Sequence, residues 1–175
     1  MKFFKTLGLL LLIGVFLAAC QSPKVRYDEK PDTANLTQYQ QQLLRRIAAS
    51  GIVVVKEGMI YTFIVPTDCF FDYQSQKLKQ NREQDLLLVA DFINQYAYYF
   101  KTLQASITGY TDKVWLYPAR KKLSLYYAKS IANVLIEDNV NISLKVAGMG
   151  AKNAIASNRY PAGSVYNRRV EIIVK

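Results

Sequence analysis

Histidine is absent from this chain of 175 residues, and cysteine occurs only at Cys20 and Cys69. The absence of histidine removes the most common general base and a frequent metal ligand. The two cysteines form neither a CxxC pair nor a metal-binding spacing, so they do not predict a zinc or redox centre. No Ser/Lys motif or recognisable carboxylate pair takes their place. The sequence therefore predicts a protein that is not an enzyme and that needs no metal or cofactor.

Negative charge is also scarce. The chain has 13 acidic residues against 23 basic ones, which gives a formal net charge of +10. Our first interpretation of this excess is a solvated basic surface, and the second is attraction to anionic envelope polymers or lipids. The apolar fraction of 51% is enough for one packed domain with an appendage.

The first 19 residues predict a secretory signal peptide. Lys2 and Lys5 precede an apolar run that is short for a membrane span and ends in small residues. The sequence Leu17-Ala18-Ala19-Cys20 resembles a lipobox, which implies that Cys20 is lipidated with palmitate-type chains and becomes the mature N-terminus. Several acyl chains give stable anchoring, whereas a single chain binds marginally. The alternative is an ordinary signal peptide with an incidental cysteine.

Gln21 follows Cys20, in place of the aspartate that favours inner-membrane retention in enteric bacteria. We therefore predict lipid anchoring in the outer membrane, with the folded domain in the periplasm. Export to that compartment argues against nucleic acid as a partner. Residues 20–35 are polar and contain Pro23 and Pro31, which is typical of a flexible tether.

Residues 36–50 predict a short helix, because Leu36, Leu43 and Ile47 recur on one side of it. Asn35 or Thr33 is the expected N-cap, and Gly51 suits the position after its end. The sequence does not decide whether this helix packs on the rest of the chain or on a partner.

Alternating and helical patterns predict an α+β domain over residues 51–175. The expected elements are a hairpin over 52–65, a helix over 81–101, a strand over 103–109, a helix from 118, a strand over 141–146, a loop over 154–164 and a strand over 168–175. Their order, βαβαββ after the first hairpin strand, predicts a two-layer sandwich with helices on one face of a mixed sheet.

The stretch from Gly109 to Ala128 joins a predicted strand to a predicted helix. Pro118 suits a first helical turn, so Asp112 is expected close to a helix N-terminus, where free N–H groups carry partial positive charge. A carboxylate beside such amides could hold a small zwitterion by its ammonium and its carboxylate. The alternative is a loop aspartate that accepts nearby backbone N–H groups, as in an Asx-turn.

Two motifs resemble the OmpA C-terminal-like domain, a peptidoglycan-associating module of outer-membrane proteins and lipoproteins. The first has the family's Gly-x-Thr-Asp and Leu-Ser spacing at Gly109, Thr111-Asp112 and Leu123-Ser124. The second is Asn167-Arg168-Arg169-Val170-Glu171. In addition, Cys69-Phe70-Phe71-Asp72 resembles the family's Ser-Asp-x-Leu-Phe-x segment. The resemblance implies the OmpA-like two-layer fold.

The resemblance also implies a ligand, the diaminopimelate residue of the peptidoglycan stem peptide. In the family, the loop aspartate takes the ammonium and an arginine takes the carboxylate, assisted by an asparagine and a last-strand arginine. The matching positions are the candidate site: Thr111, Asp112, Arg120, Tyr127, Asn167, Arg168 and Arg169.

Two of these positions depart from the family pattern. Arg120 stands where the family has asparagine, and Tyr127 where it has the carboxylate-binding arginine. A tyrosine offers one hydroxyl in place of a charged fork, so we expect weakened stem-peptide binding. Arg120 adds positive charge that either helps to hold the carboxylate or repels the ammonium. The sequence does not decide which of Arg168 and Arg169 faces the site.

Thirteen tyrosines are the other compositional excess. Packing in the core and at its rim explains most of them, but Tyr98, Tyr99 and Tyr126 stand at or beyond the edges of the apolar stripes, as expected for a protein interface. The short lipoprotein layout also resembles the DotK/IcmN lipoproteins of Dot/Icm type IVB secretion systems, which implies core subunits of such a machine as partners. The first functional hypothesis is therefore a structural component of an envelope-spanning secretion machine. The alternative is a free-standing lipoprotein that tethers the outer membrane to the cell wall.

Overall fold

The computed structural model describes residues 36–100, 102–114 and 117–175. The predicted signal peptide (1–19), the predicted lipidation site Cys20 and the predicted tether (20–35) lie outside the described residues. No helix within the described ranges combines the length and the apolar character that a membrane crossing needs.

The described part of the chain forms an α+β fold with one mixed sheet. Its strands are β1 (Val53–Glu57), β2 (Ile60–Pro66), β3 (Gln104–Tyr110), β4 (Ser143–Gly148) and β5 (Arg169–Val174). Its helices are α1 (Gln38–Ala49), α2 (Thr67–Phe70), α3 (Gln80–Ala97), α4 (Tyr117–Glu137) and α5 (Pro161–Asn167).

The strand order in the sheet is β1-β2-β5-β3-β4. Strands β3 and β4 are parallel, and the other neighbouring pairs are antiparallel. The C-terminal strand β5 thus lies in the middle of the sheet. Arg169 is the register partner of both Pro66 at the end of β2 and Tyr110 at the end of β3. This topology brings the start of the last strand to the ends of two others.

The hydrophobic core lies between the helices and one face of the sheet. The inward residues of β2 and β5 are fully buried and pair across the strands: Tyr61, Phe63, Val65, Val170, Ile172 and Val174. The residues that alternate with them are partly exposed, among them Thr62, Ile64, Glu171 and Ile173. This alternation is the pattern of a sheet covered on one face only, which confirms the predicted two-layer architecture.

Helix α1 packs on α3 and β1, which answers the question that the sequence left open. Its buried face consists of Gln40, Leu43, Leu44 and Ile47. The N-cap is Thr37, so the predicted caps Asn35 and Thr33 were wrong: Thr37 and Gln40 form a reciprocal capping box that satisfies two backbone N–H groups. Gly51 follows the helix with φ +91°, as predicted for its position.

Helix α4 buries Ile131, Val134 and Leu135 of its apolar pattern. Its fully buried residues include the small Ser124 and Ala128, whereas Leu123 and Tyr127 are only partly buried. The reason is a close approach to β3. A Cβ atom added to Gly109 would lie 1.9 Å from the backbone oxygen of Ser124. In its N-terminal half the helix thus presents small residues to the glycine.

Two further boundaries differ from the sequence prediction. Helix α3 ends at Ala97 and not at residue 101. Hydrogen-bonded turns at Tyr99 and Phe100 follow it. Residues 161–164, predicted as loop, belong to α5, which begins with Pro161. Proline suits that position because its missing N–H has no intrahelical partner there.

Candidate functional site

The candidate site lies at the sheet edge where β2 and β3 end and β5 begins. Asp112 follows β3, Asp68 lies in α2 directly after β2, and Arg168 precedes β5. The register of the sheet brings these three residues together although 100 positions separate Asp68 from Arg168. We call Asp68, Asp112 and Arg168 the site cluster.

Arg168 joins the two carboxylates of the site cluster. Its Nε donates to both oxygens of Asp68 at 2.8 and 3.0 Å, and its Nη2 donates to Asp68 Oδ2 at 2.6 Å. Its Nη1 donates to Asp112 Oδ2 at 2.6 Å. The hydrogen bonds to Asp68, with the one to Asp112, raise the pKa of the Arg168 guanidinium above its ordinary value, so it stays charged. With two carboxylates and one guanidinium, the cluster has a formal charge of −1.

Asp112 is the buried member of the site cluster. Its side chain is 3% exposed, against 30% for Arg168 and 42% for Asp68. Its other oxygen, Oδ1, accepts the backbone N–H of Val114 at 3.1 Å, which is the Asx-turn bond that the sequence offered as an alternative. The Asx-turn and the contact with Arg168 therefore coexist on one carboxylate.

Asp68 was not among the residues that the sequence predicted for the site. A signal was present, because Asp68 falls on the aspartate of the Ser-Asp-x-Leu-Phe pattern when Phe70 and Phe71 are set on its last two positions. Its role as a partner of Arg168 could not be derived locally, since the contact depends on the sheet order.

Arg169 belongs to a second group, which we call the structural cluster: Tyr110, Asn153, Arg169 and Glu171. The Arg169 side chain is 3% exposed, and its Nε donates to Glu171 at 2.8 Å. Its Nη2 donates to the carbonyl of Asn153 at 3.1 Å, and its guanidinium lies 4.0 Å from the centroid of the Tyr110 ring. Of the two arginines, Arg168 therefore faces the site cluster.

The amide of Asn167 holds a loop. It accepts the N–H groups of Ile155 and Ala156 at 2.8 and 3.1 Å. It donates to Ala156 O at 2.8 Å and to Asn158 Oδ1 at 3.1 Å. The residue is fully buried, and its side-chain polar atoms are bonded within the protein.

Thr111 and Arg120 lie on either side of Gly150. The N–H of Thr111 donates to Gly150 O at 2.8 Å. A Cβ added to Gly150 would lie 3.4 Å from Arg120 Cβ. Thr111 Oγ1 and Arg120 Nε are both buried without a hydrogen-bond partner among the described residues. Ser124 fixes the loop, because its hydroxyl accepts the Gly150 N–H at 2.9 Å.

Tyr127 fills space beside the site cluster. Its ring packs on Phe71 with centroids 4.4 Å apart. Burial raises the pKa of its hydroxyl, and the charge of Asp68 adds to this effect while Arg168 opposes it. The hydroxyl therefore stays protonated at neutral pH and supplies no positive charge at this position.

Within the described ranges, no three side chains of the types His, Cys, Asp and Glu form a group that could hold a metal ion. Tyr98, Tyr99 and Tyr126 are 86%, 59% and 42% exposed, as expected from their place beside the apolar stripes. Tyr98 and Tyr99 lie at the end of α3, whereas Tyr126 lies in the middle of α4, so the three belong to different parts of the helical layer.

Two curated proteins resemble the chain in sequence. It is 33% identical over 132 residues to Probable lipoprotein YiaD of Escherichia coli, a match that covers 75% of this chain and 58% of YiaD. It is 39% identical over 72 residues to the Peptidoglycan-binding protein ArfA of Mycobacterium bovis, covering 41% of this chain and 22% of ArfA. The chain thus spans little more than half of YiaD and less than a quarter of ArfA.

A solved structure shares the fold. The cell wall anchor of the type VI secretion system from Pseudomonas aeruginosa superimposes with a TM-score of 0.63 at 24% identity, covering 78% of this chain and 96% of that one. The OmpA family model matches residues 70–168, which include the site cluster residues Asp112 and Arg168 and more than half of the chain. The chain therefore belongs to the OmpA family.

Proposed function

We propose that this protein is an outer-membrane lipoprotein that binds the peptidoglycan stem peptide and so tethers the membrane to the cell wall. The observation that carries the proposal is the buried Asp112 carboxylate, joined to Arg168 in a cluster of formal charge −1. An ammonium group is the complement of that charge, and diaminopimelate carries an ammonium at its side-chain end.

The exposure of Arg168 supports exchange of partners on Asp112. A partly exposed guanidinium can move toward Asp68, where it already makes three of its four site-cluster hydrogen bonds. Asp112 Oδ2 then accepts from the incoming ammonium. A charge-assisted hydrogen bond of this kind contributes about 1.5–3 kcal/mol, which is enough for measurable selectivity.

The comparisons support the cell-wall role better than the secretion-machine role that the sequence first suggested. ArfA is named as peptidoglycan-binding, YiaD as a lipoprotein, and the type VI structure as a cell wall anchor. None of these three names a Dot/Icm component. Binding to the wall is therefore our primary proposal, and a place in a secretion system is secondary.

Sedimentation of the detergent-purified full chain with intact sacculi tests the binding proposal. Asp112→Asn should lower the bound fraction, with a loss of affinity of about tenfold or more, because the ammonium loses its charged acceptor. Glu137→Gln removes one carboxylate at the far end of α4 and is the matched control. Equal retention of Asp112→Asn and the wild type would refute the proposal.

The lipid anchor is proposed on the Leu17-Ala18-Ala19-Cys20 motif. Cys20→Ser should abolish metabolic labelling with palmitate and release the protein from washed outer membranes. Labelling that persists in Cys20→Ser would contradict lipidation at this residue.

A second candidate function is docking to a protein subunit of the envelope. Tyr98 and Tyr99 favour it, because two exposed rings packed at 5.4 Å resemble an interface anchor more than solvated surface. Replacing both with alanine should weaken crosslinking to envelope proteins in cells while sacculus binding persists. Unchanged crosslinking would remove the only structural support for this candidate.

A further inference from the structure

We propose that Arg120 and Thr111 form an anion subsite that binds the side-chain carboxylate of diaminopimelate, in place of the guanidinium that position 127 lacks. This inference rests on the proposed function, since it names the groups that recognise the second charge of the same ligand.

Two unpartnered donors carry the inference. Thr111 Oγ1 and Arg120 Nε are buried and have no hydrogen-bond partner within the described ranges. A buried polar group without a partner costs about 1–3 kcal/mol, so such groups are rare unless a ligand or water completes them. A hydroxyl and a guanidinium N–H both donate. The missing partner is therefore an acceptor, and a carboxylate is the acceptor that the stem peptide offers.

Gly150 lies next to both residues that carry these donors. It accepts the Thr111 N–H through its carbonyl and contacts the first turns of α4 at Arg120. Its φ of +59° favours glycine, and Ser124 holds its N–H at 2.9 Å. The backbone of Gly150 is thus held by Thr111 on the strand side and by Ser124 on the helix side.

Helix geometry relates Arg120 to Tyr127. Seven residues correspond to about two turns, so both side chains lie on the same face of α4, roughly 10 Å apart along its axis. Moving the guanidinium from position 127 to position 120 therefore keeps it on the face that carries the site and brings it nearer to the helix N-terminus. That end of a helix favours anions. Position 127 lies further along the helix, where the tyrosine packs against Phe71.

The surrounding charge agrees with an anionic ligand group. Lys113, Lys121, Lys122 and Lys152 are exposed, lie in the same loops and first helical turns, and make no ion pair with another described residue. These lysines provide long-range attraction that salt screens, whereas Arg120 is half-buried and can provide directed hydrogen bonds.

Two stem peptides separate the two charges of the ligand. L-Ala–γ-D-Glu–diaminopimelate carries the side-chain ammonium and carboxylate, and the same peptide with lysine in that position carries the ammonium alone. Isothermal titration of the detergent-purified full chain should give about tenfold or more preference for the diaminopimelate peptide in the wild type, the factor expected for one charge-assisted contact. Arg120→Gln should bind both peptides with the affinity that the wild type has for the lysine peptide.

Lys121→Gln is the matched control, because it removes one charge from the next residue of the same turn. It should weaken both peptides equally, by about threefold or less for a screened surface charge, and keep the preference. Thr111→Val should reduce the preference in part. Loss of the preference in Lys121→Gln, or its survival in Arg120→Gln, would overturn the inference. If the wild type binds both peptides equally and Asp112→Asn weakens both, the subsite fails but the proposed function stands; if the wild type binds neither, both fail.

Discussion

Arg168 and Arg169 are neighbours in the chain, yet their two clusters differ in which partner of the ion pair is buried. In the site cluster the buried partner is the carboxylate of Asp112, and the arginine is 30% exposed. In the structural cluster the buried partner is Arg169, at 3%, and Glu171 is the more exposed one. The formal charges also differ: two carboxylates and one guanidinium leave the site cluster at −1, while Arg169 and Glu171 neutralise each other.

This difference separates an exchangeable ion pair from a fixed one. Arg168 can leave Asp112 and keep its three bonds to Asp68, so a ligand cation can take its place. Arg169 is also held by the Tyr110 ring and the Asn153 carbonyl, which cannot follow it if it moves. A family motif with two adjacent arginines thus provides one residue for stability and one for the site.

The largest effect should come from the structural cluster. Arg169→Met should lower the free energy of unfolding by about 3–5 kcal/mol, the usual cost of removing one partner of a buried pair. Arg168→Met should cost roughly half of that or less, because water can replace a guanidinium that is already partly exposed. Urea unfolding followed by circular dichroism measures both. Equal losses would show that the two clusters do not differ in the way described.

A smaller effect is expected from Asp68, the exposed end of the site cluster. Asp68→Asn should change the free energy of unfolding by about 1 kcal/mol or less, as for other exposed ion pairs. It brings the formal charge of the cluster from −1 to zero, so the affinity for the diaminopimelate peptide should fall about threefold to tenfold. Glu137→Gln controls for the lost carboxylate. A stability loss as large as that of Arg169→Met would place Asp68 with the structural residues.

The smallest effect concerns two tyrosines: Tyr127, which lies beside the site cluster, and Tyr110, which belongs to the structural cluster. Burial is the main cause that raises the pKa of both Tyr127 and Tyr110. As the pH rises, the two tyrosines therefore ionise in the unfolded state before they ionise in the folded state. Their contribution to the free energy of unfolding is fully present below about pH 10 and declines as the pH passes the folded-state pKa. Tyr127→Phe and Tyr110→Phe should each make this alkaline decline shallower, by at most one proton per variant. Urea midpoints between about pH 9 and 11 test this, and an unchanged slope in both variants would contradict it.

Most of the fold was predictable because its signals are local. Alternation of apolar residues marked the strands, and Gly58, with φ +59°, closes the β1–β2 hairpin as expected. The predicted helix over 81–101 was confirmed as α3, with Leu86, Val89, Ile93 and Tyr96 on its buried face. The burial of the small Ser124 in α4 was not predictable, because it depends on the contact with Gly109, a residue of a different element.

The site was predictable in part, for the same physical reason. Asp112 could be located from its position between a strand end and a helix start. Asp68 could not be identified as the partner of Arg168, because only the central position of β5 brings them together. The distinction between the arginines could have been made from alternation: Arg169 and Glu171 flank the buried Val170 and so lie together on the other face of the sheet.

The most direct test of the account is the contribution of the ligand ammonium. The affinity of the detergent-purified full chain is measured by isothermal titration for L-Ala–γ-D-Glu–diaminopimelate and for the same peptide acetylated on its side-chain amine. We predict that acetylation weakens binding to the wild type about tenfold or more, and that Asp112→Asn binds both peptides equally weakly. Equal affinity of the wild type for both peptides would contradict the claim that the site cluster recognises an ammonium.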